Sequence, residues 1–226
     1  MAVPRRRGRK VLILIIVLLV ILGLLVGLDR VAAAYTANRI ATTLQSDGFP
    51  VKPNVSVEGF PFLTQLITRH LHGVEVTAPK VPVGPVTASI DVQAKNIALN
   101  SGYQSGTIAR VTGTGLISFA SLAGLSALAA VPGLKISSDG PHMVKLSANL
   151  QVFAASAVAR VKQTARNEIS LRIISSSGVP ASLLAPISNL ILQIPALPLG
   201  LTVQSVHVTP QGVVIGIGGN NVSFGR

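Results

Sequence analysis

VTASIDVQAKNIAL, residues 86–99, sets Val86, Ala88, Ile90, Val92 and Ala94 on one side of an extended chain and Thr87, Ser89, Asp91, Gln93 and Lys95 on the other. Successive strand side chains point to opposite faces, so this alternation predicts a strand with one wet and one dry face. The phase then changes: Lys95 and Asn96 are both polar, and Ile97 and Leu99 take over the apolar positions. A one-residue change of phase is what a β-bulge produces, so the sheet is expected to bend there. Val144, Leu146, Ala148, Leu150 and Val152 alternate as cleanly with Lys145, Ser147, Asn149 and Gln151. Leu201 and Val203 are out of phase with Val206 and Val208, which predicts a second bend. Thr209, Pro210, Gln211 and Gly212 then turn the chain into Val213, Ile215 and Ile217.

A further hairpin is expected around Arg166, Asn167 and Glu168. A three-residue loop pairing Ala165 with Ile169 keeps Ala159 and Val161 on the face of Leu171 and Ile173, and gathers Arg160, Lys162 and Arg172 on the other. Helical spacing interrupts the strands in three places. In residues 31–48, Ala37, Ile40, Ala41 and Leu44 fall at i, i+3, i+4 and i+7, and Gly48 and Pro50 end the run. Residues 118–128 carry a weaker helical pattern. Residues 180–194 carry a stronger one, with Leu183, Ile187, Leu190, Ile191 and Ile194 in register and Pro180 suited to a first turn. Together these predict an α+β domain, a long curled antiparallel sheet with helices on its dry face.

Ahead of this domain, residues 11–28 run for eighteen positions without a polar side chain. A helix of that length spans about 27 Å, close to the hydrocarbon core of a bilayer. Arg5, Arg6, Arg7, Arg9 and Lys10 precede it, and a basic flank stays cytoplasmic, so everything from Asp29 onward is expected outside. The chain therefore divides into a basic tail (1–10), a transmembrane or signal-anchor helix (11–28) and an exported domain (29–226). Ala32, Ala33 and Ala34 offer a small-residue cleavage site, but the apolar run exceeds the usual signal-peptide length, which favours an uncleaved anchor at the cell membrane over a secreted product.

Composition narrows the function. Of 226 residues 49% are hydrophobic but only 4% aromatic, so the interior is aliphatic. Cysteine is absent, which removes disulfides, thiolate nucleophiles and cysteine-based metal sites. Five of the basic residues behind the net charge of +12 sit together in the basic tail. The remaining cations are scattered among the acids, with no basic helix and no interleaved aromatics, so nucleic acid is not an expected partner. No G-x-S-x-G elbow is present, and the glycine groups at Gly113 and Gly216 lack the spacing of a phosphate cradle. His70, His72 and Glu75 could share a metal at strand spacing, but exposed polar positions at a strand start account for them better. No residue is assigned a catalytic or metal-binding role, and no cofactor is implied.

The segment VEGFPFLTQL, residues 57–66, is distinctive. A strand leads into Gly59, Phe60, Pro61, Phe62 and Leu63, where Pro61 fixes φ and both Phe60 and Phe62 are placed to dock into the core as structural anchors. With the apolar Pro-containing stretch near 180–194 and the closing hairpin around Thr209–Gly212, this segment resembles the LmeA-type phospholipid-binding family of exported actinobacterial envelope proteins, formerly a domain of unknown function. The resemblance covers most of the chain after Arg30. It implies a cell-envelope protein that binds anionic phospholipid, with a sheet wrapped around helices in a manner similar to tubular lipid-binding domains.

Residues and resemblance converge on a non-catalytic lipid binder or shuttle. Candidates for an apolar cavity are Val144, Leu146, Leu150, Val161, Leu171 and Ile173 from the strands, with Leu183, Ile187, Leu190 and Ile191 from the expected helix. Arg160, Lys162 and Arg172 are the candidates for a lipid headgroup. A ligand-free envelope scaffold and a lipid-modifying enzyme are the alternatives. The lipid species, protein partners and oligomeric state are not legible.

Overall fold

The apolar run does not end at its last leucine but continues through the amphipathic stretch as a single helix, α1 (Arg6–Ser46), 41 residues and about 60 Å long. Residues 11–28 are exposed around its whole circumference. From Asp29 onward one stripe is covered: Asp29, Ala33, Ala37 and Ala41 are buried, and Ile40 and Leu44 are half-buried. Three alanines in that stripe let the helix lie close against β1 (Asn54–Glu58), which returns antiparallel to it after the turn at Gly48. The computed structural model describes residues 6–129, 133–150, 153–166, 168–179, 188–194 and 197–225.

After β1 come a short helix α2 (Phe62–Ile67) and three long strands, β2 (His70–Val83), β3 (Val86–Leu99) and β4 (Gly106–Ser118). The weak helical pattern at 118–128 resolves into two short helices, α3 (Phe119–Ala123) and α4 (Ser126–Ala129), with the Ser118 hydroxyl accepting from the Ser121 N–H at 3.1 Å as N-cap. Then follow β5 (Lys135–Ser138), β6 (Met143–Leu150), β7 (Phe153–Ala165), β8 (Glu168–Ser177), β9 (Asn189–Gln193), β10 (Thr202–Thr209) and β11 (Gly212–Phe224). The antiparallel strands form two sheets, one ordered β1-β2-β3-β4-β11-β10 and one ordered β5-β6-β7-β8-β9.

The change of phase at Lys95 and Asn96 is present, but its cause is not a bulge. Leu71 pairs with Ile97 and Gly73 with Lys95, and Lys95 pairs with Arg110 as Ile97 does with Ile108, so no residue is inserted. Asn96 instead takes a left-handed φ of 53°, and Asn221, in the same row of the sheet, takes 50°. Asparagine tolerates that conformation better than most residues. Exposed pairs at Lys95 and Asn96, Ala109 and Arg110, and Asn220 and Asn221 show three strands changing phase together. The second bend does contain a bulge. Val203 pairs with Ile217 and Ser205 with Gly216, leaving Gln204 as the extra residue.

Two further expectations are corrected. In the β7–β8 hairpin Ala165 pairs with Glu168, not with Ile169, and the extra residue sits at Thr164, inside β7. That bulge does what the longer loop was expected to do, so Gln163 pairs with Ile169 and the expected faces survive. The expected helix over 180–194 is overturned at its C-terminal end, where residues 189–193 form strand β9 along β8. Leu190 and Leu192 turn inward and Ile191 and Gln193 outward. A run of apolar residues in which every second one is buried satisfies both templates, and the free edge of β8 selects the strand. Residues 180–187 lie outside the described part.

The two sheets enclose a core in which Val86, Ala88, Ile117, Val213 and Ile215 of the larger sheet meet Val144, Leu146, Ala159, Val161 and Ile169 of the smaller, with Leu122, Leu125 and Leu128 from the α3–α4 region. A second core lies toward the other end of the same long strands, where Leu71, Ile97, Ile108 and Val222 pack with Ala33 of α1 and Phe62 of α2.

Candidate functional site

At the seam between the sheets the core is not filled. A cavity of about 40 Å³ is lined by Ile117 and Val213 of the larger sheet, Leu122 and Leu125 near α3, and Val161, Ile169, Leu171, Leu190 and Leu192 of the smaller sheet. Every lining side chain is aliphatic. Space of this order holds about a water molecule, and apolar walls leave such a water without partners.

Of the expected cavity residues, Val161, Leu171 and Leu190 line this space. Val144 and Leu146 are buried in the same core and half-buried Ile173 packs against that core, but none of the three lines the cavity. Ile191 is not a lining residue: at 51% exposure it stands on the outer face of β9, one residue out of phase with Leu190 and Leu192. Leu150 closes β6, its side chain outside the described part, as are Leu183 and Ile187. Sequence reasoning passed over Ile117, Leu122, Leu125, Ile169, Leu192 and Val213. The alternation of β11 contained the signal for Val213, but nothing local announces which dry faces meet across the seam.

Arg160, Lys162 and Arg172 share the exposed outer face of the smaller sheet, and Arg160 stands directly opposite Arg172. Lys145 of β6 and Lys135 of β5 extend the same face, since Lys145 pairs with Val158 and Lys135 with Ser147. Among the described residues these five cations form no ion pair. The carboxylate of Glu168, at one end of the face, is held by Thr164 at 2.6 Å and Gln193 at 2.9 Å. Like charges directly opposite in a sheet repel, so this hairpin carries an unrelieved positive field.

The Gly59–Leu63 segment divides its two phenylalanines. Phe62 is 1% exposed and belongs to the second core, as expected. Phe60 is 58% exposed, which overturns its expected docking: the Phe60–Pro61 peptide is cis, and the Phe60 ring lies outside under the Arg30 guanidinium, 5.3 Å from its centroid. Gly59 has a φ of +94°, and a Cβ there would meet Gln65 and His72 side-chain nitrogens at 2.6 and 2.7 Å, so any other residue is strained and must displace both. Buried Gln65 braces the turn, donating to the Glu58 carbonyl at 3.2 Å and accepting from the His72 N–H at 2.9 Å.

Asp29, the first residue after the apolar run, is 3% exposed. Its carboxylate accepts from the Leu63 N–H at 2.8 Å and from Arg30 at 2.6 Å, so it caps α2 from a different element. Burial alone would raise its pKa, but the hydrogen bonds from Leu63, Arg30 and Phe62 outweigh that and hold it below the ordinary value. Arg30 also donates to the Gly59 carbonyl at 3.1 Å. His70 and His72 are exposed at the start of β2, and among the described residues no cluster of three or more His, Asp or Glu side chains could hold a metal.

Two curled antiparallel sheets closing on an aliphatic seam, behind an apolar helix that fits a transmembrane or signal anchor, define a protein built around apolar contact. The chain belongs to the LmeA-like phospholipid-binding family, whose model matches residues 27–217. No curated protein and no solved structure matches the chain significantly.

Proposed function

We propose that the protein is a cell-envelope phospholipid binder, anchored by residues 11–28 with its C-terminal domain outside the membrane, that takes acyl chains between its two sheets. The observation that carries this reading is the seam itself, where nine aliphatic side chains from both sheets and the α3 region face an unfilled space in a chain of a phospholipid-binding family. A cavity with no polar lining group offers orientation to hydrocarbon and nothing to a reacting centre, so binding or shuttling is favoured over catalysis. The five cations on the outer face of the smaller sheet favour anionic lipid. Lys and Arg near an anionic surface contribute on the order of 1 kcal/mol each.

One observation favours the alternative of a ligand-free scaffold: about 40 Å³ does not accommodate an acyl chain. Lipid uptake therefore requires the sheets to separate, whereas a scaffold keeps them closed. Native mass spectrometry of the full chain released from membranes, with extraction and identification of co-purifying lipid, tests the two. Stoichiometric phospholipid is expected; a lipid-free domain that stays lipid-free after incubation with anionic vesicles would establish the scaffold.

A further inference from the structure

One exposed face of α2, a helix of only six residues, is apolar, with exposed Thr64 beside it. Leu63 and Ile67, four positions apart and so on one face, are 37% and 79% exposed, and Phe60 immediately before the helix is 58% exposed. A monomeric soluble surface rarely groups its large apolar side chains in this way. Phe62 and Gln65, on the opposite face, are buried and fix the helix to the second core. The exposed face is thus held rigidly, and it is not a frayed segment.

Its location identifies what covers it. The Leu63 N–H is bonded to Asp29, and Asp29 follows directly on Leu28, the last residue of the apolar run. Asp29 and Arg30 are also the first ionised side chains after that run, so the level at which α1 leaves hydrocarbon is the level at which α2 is clasped. Arg30, set over the Phe60 ring, and exposed Arg69, at the end of the segment, place cations beside these apolar side chains, as headgroup phosphates require. Exposed Tyr103, on the turn between β3 and β4, lies at the same end of the sheet, because the Leu99 N–H is bonded to the Arg69 carbonyl. Aromatic and basic side chains around an apolar patch are the composition of a membrane–water interface.

We propose that α2 and Phe60 form an interfacial foot, in which Phe60, Leu63 and Ile67 sink into the outer leaflet beside the point where α1 emerges, seating the domain on the bilayer instead of leaving it on a free tether. The inference rests on the anchoring of residues 11–28 proposed above, and the test separates the two. The chain has no Trp, so Phe60→Trp, Ile67→Trp and Gln211→Trp each supply a single reporter. Gln211 is exposed in the β10–β11 turn, at the far end of a 13-residue strand whose other end pairs with Gly106 beside Tyr103. Each full-length variant is reconstituted into phosphatidylcholine–phosphatidylglycerol vesicles, floated on a gradient at alkaline pH, and titrated with lipids brominated near the glycerol end of the acyl chain.

Flotation of all three is expected, with blue-shifted emission from Trp at 60 and 67 that is quenched severalfold more than at 211. Flotation with equal, weak quenching at all three positions would overturn the foot and leave the anchor standing. Blue-shifted but unquenched emission at 60 and 67 would overturn it in favour of a protein surface covering α2. Failure to float would remove the anchor, and the foot with it. Both reporter positions are exposed, and either alone suffices if the other variant unfolds.

Discussion

Phe60 and Phe62 are two residues apart in one turn and have opposite fates, which gives the segment a sharp test. Truncating a buried Phe to Ala costs about 3 to 5 kcal/mol, and Phe62 is 1% exposed. Thermal unfolding of Phe62→Ala is expected to shift strongly downward, and Phe60→Ala to stay near wild type, because its ring loses only an exposed stacking contact. Equal shifts would mean that the ring of Phe60 is packed in solution. Asp29 carries the second residue-scale expectation. Its folded pKa is depressed below the ordinary 3.8, so its contribution to stability is fully present above the unfolded value and is lost as pH falls through the folded one. Melting temperatures of wild type and Asp29→Asn should therefore differ by a constant amount at neutral pH and converge in acid below about pH 4. A gap that persists at the lowest pH at which the domain is folded would assign Asp29 a role unrelated to its charge.

The β7–β8 hairpin is where an element's stability and its proposed role pull in opposite directions. Arg160 opposite Arg172 is a repulsive cross-strand pair in the fold, a cost of a few tenths to about 1 kcal/mol. Replacing Arg160, Lys162 and Arg172 by Gln should leave folding intact or raise the melting temperature. It should also weaken binding to anionic vesicles at low salt and flatten the salt dependence, with uptake of neutral lipid unchanged. Equal binding of variant and wild type to anionic vesicles at low salt would remove these residues from headgroup recognition. The shared face of these three was legible from alternation alone, because a one-residue error in loop length was cancelled by the bulge at Thr164. The phase change at Lys95 and Asn96 was legible too, but its mechanism was not: a period-two pattern records which side chains are wet, and it cannot distinguish an inserted residue from a left-handed asparagine. In the sequence around β9 the spacing of Ile187, Leu190, Ile191 and Ile194 fitted a helix, while that of Leu190, Leu192 and Ile194 fitted a strand equally well. The edge of β8 that decides between them lies some twenty residues earlier in the chain. Neither Asp29 nor Gln65 could be picked out locally, since each becomes important only through a partner on another element.

Across the whole molecule, the two cores occupy opposite ends of one dry face. Val86, Ile117 and Val213 belong to the core at the seam, while Ile97, Ile108 and Val222 on the same three strands belong to the core beneath α1 and α2. Eleven residues of strand separate Val86 from Ile97, roughly 35 Å, so the seam stands well away from the end of the apolar run at Leu28. In the proposed function, a lipid passing from bilayer to seam travels along the dry face between the cores. That stretch is open at one position. Gly115 lies in phase with Val111 and Ile117, between Ile90 and Ile215 in the register, and a Cβ built there meets no atom within 4 Å. An acyl chain lying along the face would cross this opening. Gly115→Leu puts a branched side chain into it without displacing any neighbour at its Cβ, and replaces a residue that weakens strands. The melting temperature of the full chain is therefore expected to hold or rise, while co-purifying phospholipid, counted by native mass spectrometry, falls severalfold. The control is Thr114→Leu, one residue away on the exposed wet face of the same strand, which should leave lipid occupancy unchanged. Full lipid occupancy in a folded Gly115→Leu variant would show that lipid neither rests on the dry face between the cores nor passes along it.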